Sequence, residues 1–315
     1  MSSAQHLFAL KQSLSPSHVT DVIGSFLSGE LLHRLNISQD LQPDLRVAVN
    51  FGTTYTSVAW ICPKQDYPSL QVISNWPDGG GSCDVTNERK VPSVLAKHPT
   101  ASGVRRWGLL CDDEMNEADK WRYLKVFLEP RQLEISRKNN IVWAPGSMAQ
   151  VHQLVIEYLH QVYLHIRRSV SMRVKRMANA DDDGWDDMAI EFVFSVPTTW
   201  RGQDILEDFQ AIIRNAGFGM SEHHEVVLGL TEAEIAAVAS MSRVGSSIPF
   251  TSGDVFLSID AGGGTTDLKW CIFTRRGMVV SHQNSAIASE EEHFALGIGC
   301  ACFVLTRQPL LETAV

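Results

Sequence analysis

Cysteine is scarce in this chain: six in 315 residues, at positions 62, 83, 111, 271, 300 and 302, with no Cys-x-x-Cys pair. That argues against a disulfide framework. Long apolar runs are missing too. None reaches the ~18 residues that a membrane helix needs, and the first residues lack a basic stretch followed by an apolar core. Positive charge is in deficit, 27 Lys and Arg against 36 Asp and Glu, for a net charge of −9. A chain of that sign is a poor general partner for nucleic acid or an anionic membrane surface. What remains is 44% hydrophobic and 20% charged, enough for one large domain or two of typical size. The expectation is a cytoplasmic protein with neither nucleic-acid nor membrane partners.

Residues 1–45 read as an N-terminal extension in which Val22, Ile23, Phe26, Leu27, Leu31 and Leu35 fall at helical spacing. From Arg46 the texture changes to RVAVNF, a buried strand, then a tight Gly-Thr-Thr loop and a second strand, TSVAWI. LQVISNW is expected to be a third strand, and the Gly-rich stretch at 79–81 a connection, since it follows a Pro-Asp turn and opens no helix. Periodicity predicts helices over 118–128, 147–169, 202–215 and 231–243, with a strand, IEFVFSVP, closed by Pro197, and another, EVVLGL. After a linker come VFLSID, AGGGTT, DLKWCIF and GMVVSHQ, read as strand, loop, strand, strand, and then a helix from about residue 290. Strands mixed with helices of these lengths indicate an α/β protein with mixed sheets.

Several constellations lead nowhere. Cys300-x-Cys302 with His293 fits no common zinc spacing. His160 and His165 are five apart on a helix and do not share a face. Ser195 lacks the flanking glycines of a nucleophile elbow. His223-His224 reads as surface polarity in a loop.

The informative feature is internal similarity. Residues 47–60, VAVNFGTTYTSVAW, resemble 257–270, LSIDAGGGTTDLKW. Each has a hydrophobic strand, a polar residue at its end (Asn50, Asp260), glycine, Thr-Thr and a second strand ending in tryptophan. Glycines let the backbone N–H groups approach phosphate oxygens, threonine hydroxyls add neutral donors, and a strand-end carboxylate can hold hydrated Mg²⁺. Two such loops could clamp a polyphosphate from both sides.

At these residues the chain resembles the actin-like ATPase superfamily, in the form found in DnaK-type 70-kDa heat-shock chaperones. Phe51-Gly52-Thr53-Thr54-Tyr55 is similar to that family's first phosphate loop, and Asp260–Asp267 to its second. Phe194-Ser195-Val196-Pro197 resembles the strand with the switch proline, and residues 230–237 the glutamate-bearing segment after it. The resemblance spans about residues 46–305 with the motifs in family order. It implies two ribonuclease-H-like lobes: a first over 46–245 and a second, incomplete one over 254–315. It implies ATP or ADP with Mg²⁺ as ligands, and protein clients or co-chaperones as partners. Gly52, Thr53, Thr54 and Tyr55 would meet the β- and γ-phosphates from one lobe; Gly262, Gly263, Gly264 and Thr265 would do so from the other. Asp260 and the Asn50 position would serve Mg²⁺, and Asp267 would orient the second loop. Glu232 would lie near the metal and Pro197, and Lys125 would reach the γ-phosphate. Read without the resemblance, Lys125 is a surface lysine on a helix, and Glu232 a carboxylate favoured at a helix N-terminus.

Three departures from the family pattern carry consequences. Asn50 stands where the family has aspartate, and an amide is a weaker Mg²⁺ ligand that cannot take a proton from water. Nucleotide would then bind with slow hydrolysis to ADP and phosphate. Ala233 replaces a proline, and the chain ends at Val315, before the part of the second lobe that holds adenine. The expected function is ATP binding with slow Mg²⁺-dependent turnover. The alternatives are a non-catalytic nucleotide-binding scaffold or degenerate fragment and, last, a sugar or metabolite kinase.

Overall fold

A computed structural model describes residues 43–65, 69–77, 89–111, 114–178, 184–200, 202–232, 234–235, 255–261, 266–274, 277–281 and 301–306. Side chains are described up to Val174 and, among the later described residues, from Gly184 to Ile235.

Strand β1 (Leu45–Phe51) organises the main sheet. It turns directly into β2 (Tyr55–Ile61), paired antiparallel, and on its other side runs parallel to β8 (Ile190–Val196). In turn β8 runs parallel to β9 (His224–Thr231). Two short strands, β3 (Gln71–Val72) and β4 (Val91–Pro92), add to opposite ends of β2, giving the order β3-β2-β1-β8-β9 with β4 also on β2. A mixed sheet follows from this sequence because the tight turn after Phe51 enforces an antiparallel partner. The chain reaches β8 only through a long helical excursion, which suits a parallel one.

Side chains alternate across β1, so Leu45, Val47, Val49 and Phe51 face one way with Val58, Trp60, Phe192 and Phe194. Onto that face pack α2 (Met148–Ala178), through Val151, Leu154, Val155, Leu159, Val162 and Ile166, and α3 (Gln203–Asn215), through Phe209, Ile212 and Ile213. The opposite face is built of smaller groups: Ala48, Ala59 and Ile61 against Leu70 and Val72. On it Arg46 and Glu191, directly opposed across β1 and β8, form a buried ion pair.

The segment 95–138 departs from expectation. In place of a helix over 118–128, β7 (Lys120–Trp121) pairs with β5 (Leu95–Pro99), which also pairs with β6 (Arg105–Trp107). Short 3₁₀ turns occupy 117–119 and 126–128. The break falls at Tyr123, whose φ of 57° lies in the left-handed region and cannot belong to an α-helix. A short helix that periodicity did not reveal, α1 (Pro130–Lys138), follows with Pro130 in its first turn.

A separate four-stranded antiparallel sheet contains β10 (Val255–Ala261), β11 (Thr266–Thr274), β12 (Gly277–Ser281) and β13 (Ala301–Thr306), in the order β12-β11-β10-β13. The expected helix from residue 290 is thus corrected over 301–306, where a β-rich ACFVLT run pairs along the edge of β10. The remainder of that helix, the Gly79–Gly81 loop, the N-terminal helix and residues 236–243 lie outside the described residues.

The repeat has a counterpart in strand register. In the first hairpin Asn50 opposes Ser57 and the closing pair is Phe51 with Thr56; in the second, Asp260 opposes Asp267 and the closing pair is Ala261 with Thr266. The two hairpins correspond position for position, each with four residues between the members of its closing pair. Register places Tyr55 and Thr56, rather than Thr53 and Thr54, at the positions of Thr265 and Thr266.

Candidate functional site

The order of the main sheet reverses at β1, and beside it lies β8, so the carboxyl ends of β1, β8 and β9 frame the crevice where sheets of this kind take ligands. The residues predicted between Asn50 and Glu232 gather at this end. Asn50 is the penultimate residue of β1 and Ser195 that of β8, while Pro197 directly follows β8 and Glu232 directly follows β9. One extra residue in β9 between Leu228 and Thr231, opposite Phe194–Val196, makes a bulge that re-aims the end of the strand.

The turn at 52–54 is tight and braced from below. Gly52 N–H donates to the Tyr55 carbonyl at 3.1 Å, and a Cβ on Gly52 would come within 2.4 Å of that oxygen. Ser93 N–H donates to the Thr54 carbonyl (2.8 Å) and Ser93 Oγ to the Gly52 carbonyl (2.9 Å). Behind Ser93, Thr56 Oγ1 lies 3.0 Å away, and it accepts from the buried Tyr158 hydroxyl at 2.9 Å. Burial pushes the Tyr158 phenol up, well beyond its ordinary range, so it stays a donor at any working pH. Three hydroxyls therefore run from α2 to the Gly52 carbonyl, consuming acceptors on the inner side of the turn. Gly52→Ala is expected to cost about 2 kcal/mol by overpacking against backbone, read as a lowered urea midpoint. Ser93→Ala, which adds no atom, should cost less.

Lys125 and Glu232, 107 residues apart, meet as a salt bridge with Nζ 2.5 Å from Oε1. The lysine side chain is 4% exposed and the carboxylate 14%, so Lys125 is no surface lysine. Its position depends on the left-handed Tyr123, whose ring packs edge-on against Trp143 and turns the chain so that Leu124 and Lys125 are both buried. Beneath the ammonium, 6.0 Å away, lies the Trp200 ring, itself edge-on to Phe209. Thr199 Oγ1 donates to Glu129 Oε1 at 3.0 Å, tying the loop after β8 to the segment that carries Lys125. In that same loop the Thr198 hydroxyl is buried with no partner among the described residues.

Glu232 opens a helical turn fixed by reciprocal capping. Thr231 Oγ1 accepts from the Glu234 N–H, and Glu234 Oε2 accepts from the Thr231 N–H at 2.9 Å. The capping residue is therefore Glu234, which leaves Glu232 to face Lys125. At the end of β1, Asn50 Oδ1 accepts from Ser195 Oγ at 3.2 Å. No family model matches the chain.

The sequence is 22% identical to heat shock 70 kDa protein 12A of Homo sapiens over 231 residues. The match takes in 71% of this chain and 31% of the human protein, so the chain spans about a third of its relative's length. The similarity is distant. It agrees in kind with an α/β chain built on a mixed sheet.

Among the predicted residues, Gly52, Thr53, Thr54 and Tyr55 share one turn, Tyr55 being half exposed, and Lys125 and Glu232 share one ion pair. Asp260 and Asp267 oppose each other across β10 and β11, while Gly262, Gly263, Gly264 and Thr265 lie outside the described residues. Among the described residues no three His, Cys, Asp or Glu side chains gather to hold a metal, and no helix is long and apolar enough to cross a membrane. Sequence reasoning missed Ser93, Tyr158 and Trp200 and gave Ser195 no role. Only Ser195 had a readable signal: a polar residue near the end of a buried parallel strand, as Asn50 is on its neighbour. His224, read as loop polarity, is the buried first residue of β9, with Nε2 2.8 Å from the Trp185 carbonyl.

Proposed function

We propose that this chain binds the phosphate groups of ATP or ADP at the carboxyl end of the main sheet, and that turnover to ADP and phosphate is slow. The observation that carries the reading is the buried Lys125–Glu232 pair beside the glycine turn. A lysine this deep is a strongly positioned cation, and a phosphoryl group entering beside it would take part of the carboxylate's place. The backbone N–H groups of Thr53 and Thr54, in a turn whose Gly52 N–H is bonded to the Tyr55 carbonyl, suit the same ligand. Distant similarity to a 70-kDa heat-shock protein supports the assignment. The proposal divides the chain into an extension (1–45), a first lobe (46–245) and the start of a second (254–315). In this proposal Gly52, Thr53, Thr54 and Tyr55 grip from one side, and Gly262, Gly263, Gly264 and Thr265 from the other. Lys125 neutralises the terminal phosphate, Glu232 orients Lys125, and Asp267 shapes the second loop. Asp260 would take hydrated Mg²⁺. Phosphoryl transfer then depends on positioning and charge neutralisation alone. Clients and co-chaperones would be protein partners of the same kind of cycle.

A second reading, a nucleotide-binding scaffold without turnover, is favoured by Asn50, which offers no carboxylate on the β1 side. Thermal denaturation with ATP or ADP at about 100 times the dissociation constant should add about 2.7 kcal/mol to stability. No shift with either nucleotide would end both readings. A shift accompanied by background hydrolysis selects the scaffold.

A further inference from the structure

We infer that Asn50 acts on the nucleotide as a hydrogen-bond donor and gives a divalent cation no charged anchor on the β1 side of the site, so that the chain binds its nucleotide equally well with or without the metal. The inference rests on the nucleotide reading and names the metal dependence of that site.

Magnesium demands oxygen ligands in near-octahedral geometry and is usually tied to protein by one or two carboxylates besides the phosphates. The donor set at the end of β1 does not fit that demand. Asn50 is neutral, and its only oxygen accepts from Ser195 Oγ at 3.2 Å. The amide orientation follows from hydrogen-bond balance. Ser195 is buried, and Asn50 is the only hydrogen-bond partner of its hydroxyl among the described residues. Turning the amide over would face the NH₂ group to Ser195 Oγ and leave the buried hydroxyl proton without an acceptor. With one lone pair of Oδ1 given to Ser195, Asn50 offers a ligand one neutral lone pair and the two donor hydrogens of Nδ2, and no negative charge. Strand pairing holds the arrangement rigid. Val49 and Phe194 are register partners across β1 and β8, so Asn50 and Ser195 follow them side by side on two buried strands. A phosphate oxygen fits the Nδ2 donor, whereas a divalent cation finds no carboxylate here. Of the two strand-end positions in the repeated hairpins, only Asp260 retains a carboxylate, and one water-bridged carboxylate leaves the ion without an anchor on β1.

The test is calorimetric titration of the full chain with ATP and with ADP, in EDTA and in excess Mg²⁺. The wild-type dissociation constants should agree within about threefold between the two buffers. Asn50→Asp should bind weaker than wild type in EDTA, since a carboxylate would face phosphate, and should become at least about tenfold tighter on adding Mg²⁺. Wild-type binding that weakens about tenfold or more in EDTA overturns the inference. So does an Asn50→Asp variant, folded by circular dichroism, whose affinities match wild type in both buffers. The wild-type comparison needs no variant and stands even if Asn50→Asp fails to fold. Absence of binding in both buffers strikes the nucleotide reading itself, an outcome distinct from metal-dependent binding.

Discussion

Removing either partner of the Lys125–Glu232 pair is expected to destabilise the chain by about 3–5 kcal/mol, because the survivor is left as an uncompensated buried charge. The two single variants should not be equal in mechanism. Lys125→Met keeps the stem that packs over Trp200 and strands Glu232, whose side chain is 14% exposed and can recover some hydration. Glu232→Gln strands a lysine that is 4% exposed, with the Trp200 ring the nearest compensation. Equilibrium urea unfolding checks this, and Glu232→Gln should be the worse of the two. The double variant Lys125→Met/Glu232→Gln should recover most of the loss, since replacing a buried pair by neutral groups of similar volume is often close to neutral. A cycle that sums instead of cancelling would mean the ion pair contributes nothing beyond its separate packing. Nucleotide affinity separates structure from function. A purely structural pair predicts recovered binding in the double variant along with recovered stability. A lysine that contacts phosphate predicts restored stability with affinity still lost.

The parts of this fold that could be read from sequence are those where local pattern and tertiary demand agree. In β1, Leu45, Val47, Val49 and Phe51 alternate with Arg46, Ala48 and Asn50, and the sheet buries the first set under α2 and α3. The two hairpins were legible because a glycine turn bounded by apolar strands has few other outcomes, and register shows them equivalent. The segment 118–128 misleads because Trp121, Leu124, Phe127 and Leu128 fall at helical spacing for another reason. Trp121 is held by pairing with Leu95, and the others are delivered to the core by a left-handed residue and a 3₁₀ turn. Tertiary pairing there outweighs periodicity. For the site, the motif residues were legible but their supports were not. Tyr158 lies in the middle of a long helix and Ser93 in an unremarkable Pro-Ser-Val run, and nothing local marks either as a brace for Gly52. Lys125 was found through the resemblance; its burial and its bond to Glu232 depend on a partner 107 residues away in the chain.

Acid should weaken the chain well before its carboxylates titrate, and His165 is the cause. Burial, with Arg168 adding repulsion, holds its imidazole down at about 4, against an ordinary value of 6.5, while a hydrogen bond to the Asn75 backbone opposes the shift. The ring stacks on Trp76 at 4.9 Å and meets Trp107 edge-on. Its Nε2 is 3.2 Å from Ser169 Oγ, which also accepts from Asn75 Nδ2. With the other ring nitrogen donating to the Asn75 backbone, Nε2 is the acceptor of the neutral ring and takes the Ser169 proton, a bond that protonation would break. Above pH 6.5 the ring is neutral folded and unfolded, and stability is full. As pH falls below 6.5 the unfolded chain takes up a proton that the folded chain refuses until about 4, so stability falls through that window, by about 3 kcal/mol in total and about 2 kcal/mol by pH 5. His224, whose pKa burial also lowers, acts in the same direction. The carboxylates held low by ion pairs, Asp44 and Glu117, respond only below that range, so among the described groups with a shifted titration the interval from 6.5 to 5 belongs to His165 and His224. His165→Gln will lower stability at pH 7 through loss of the stack, but the difference in urea midpoint between pH 7 and pH 5 should shrink to the residue left by His224. An undiminished difference in that variant would assign the acid sensitivity elsewhere. A difference abolished only by the further change His224→Gln would divide it between the two rings.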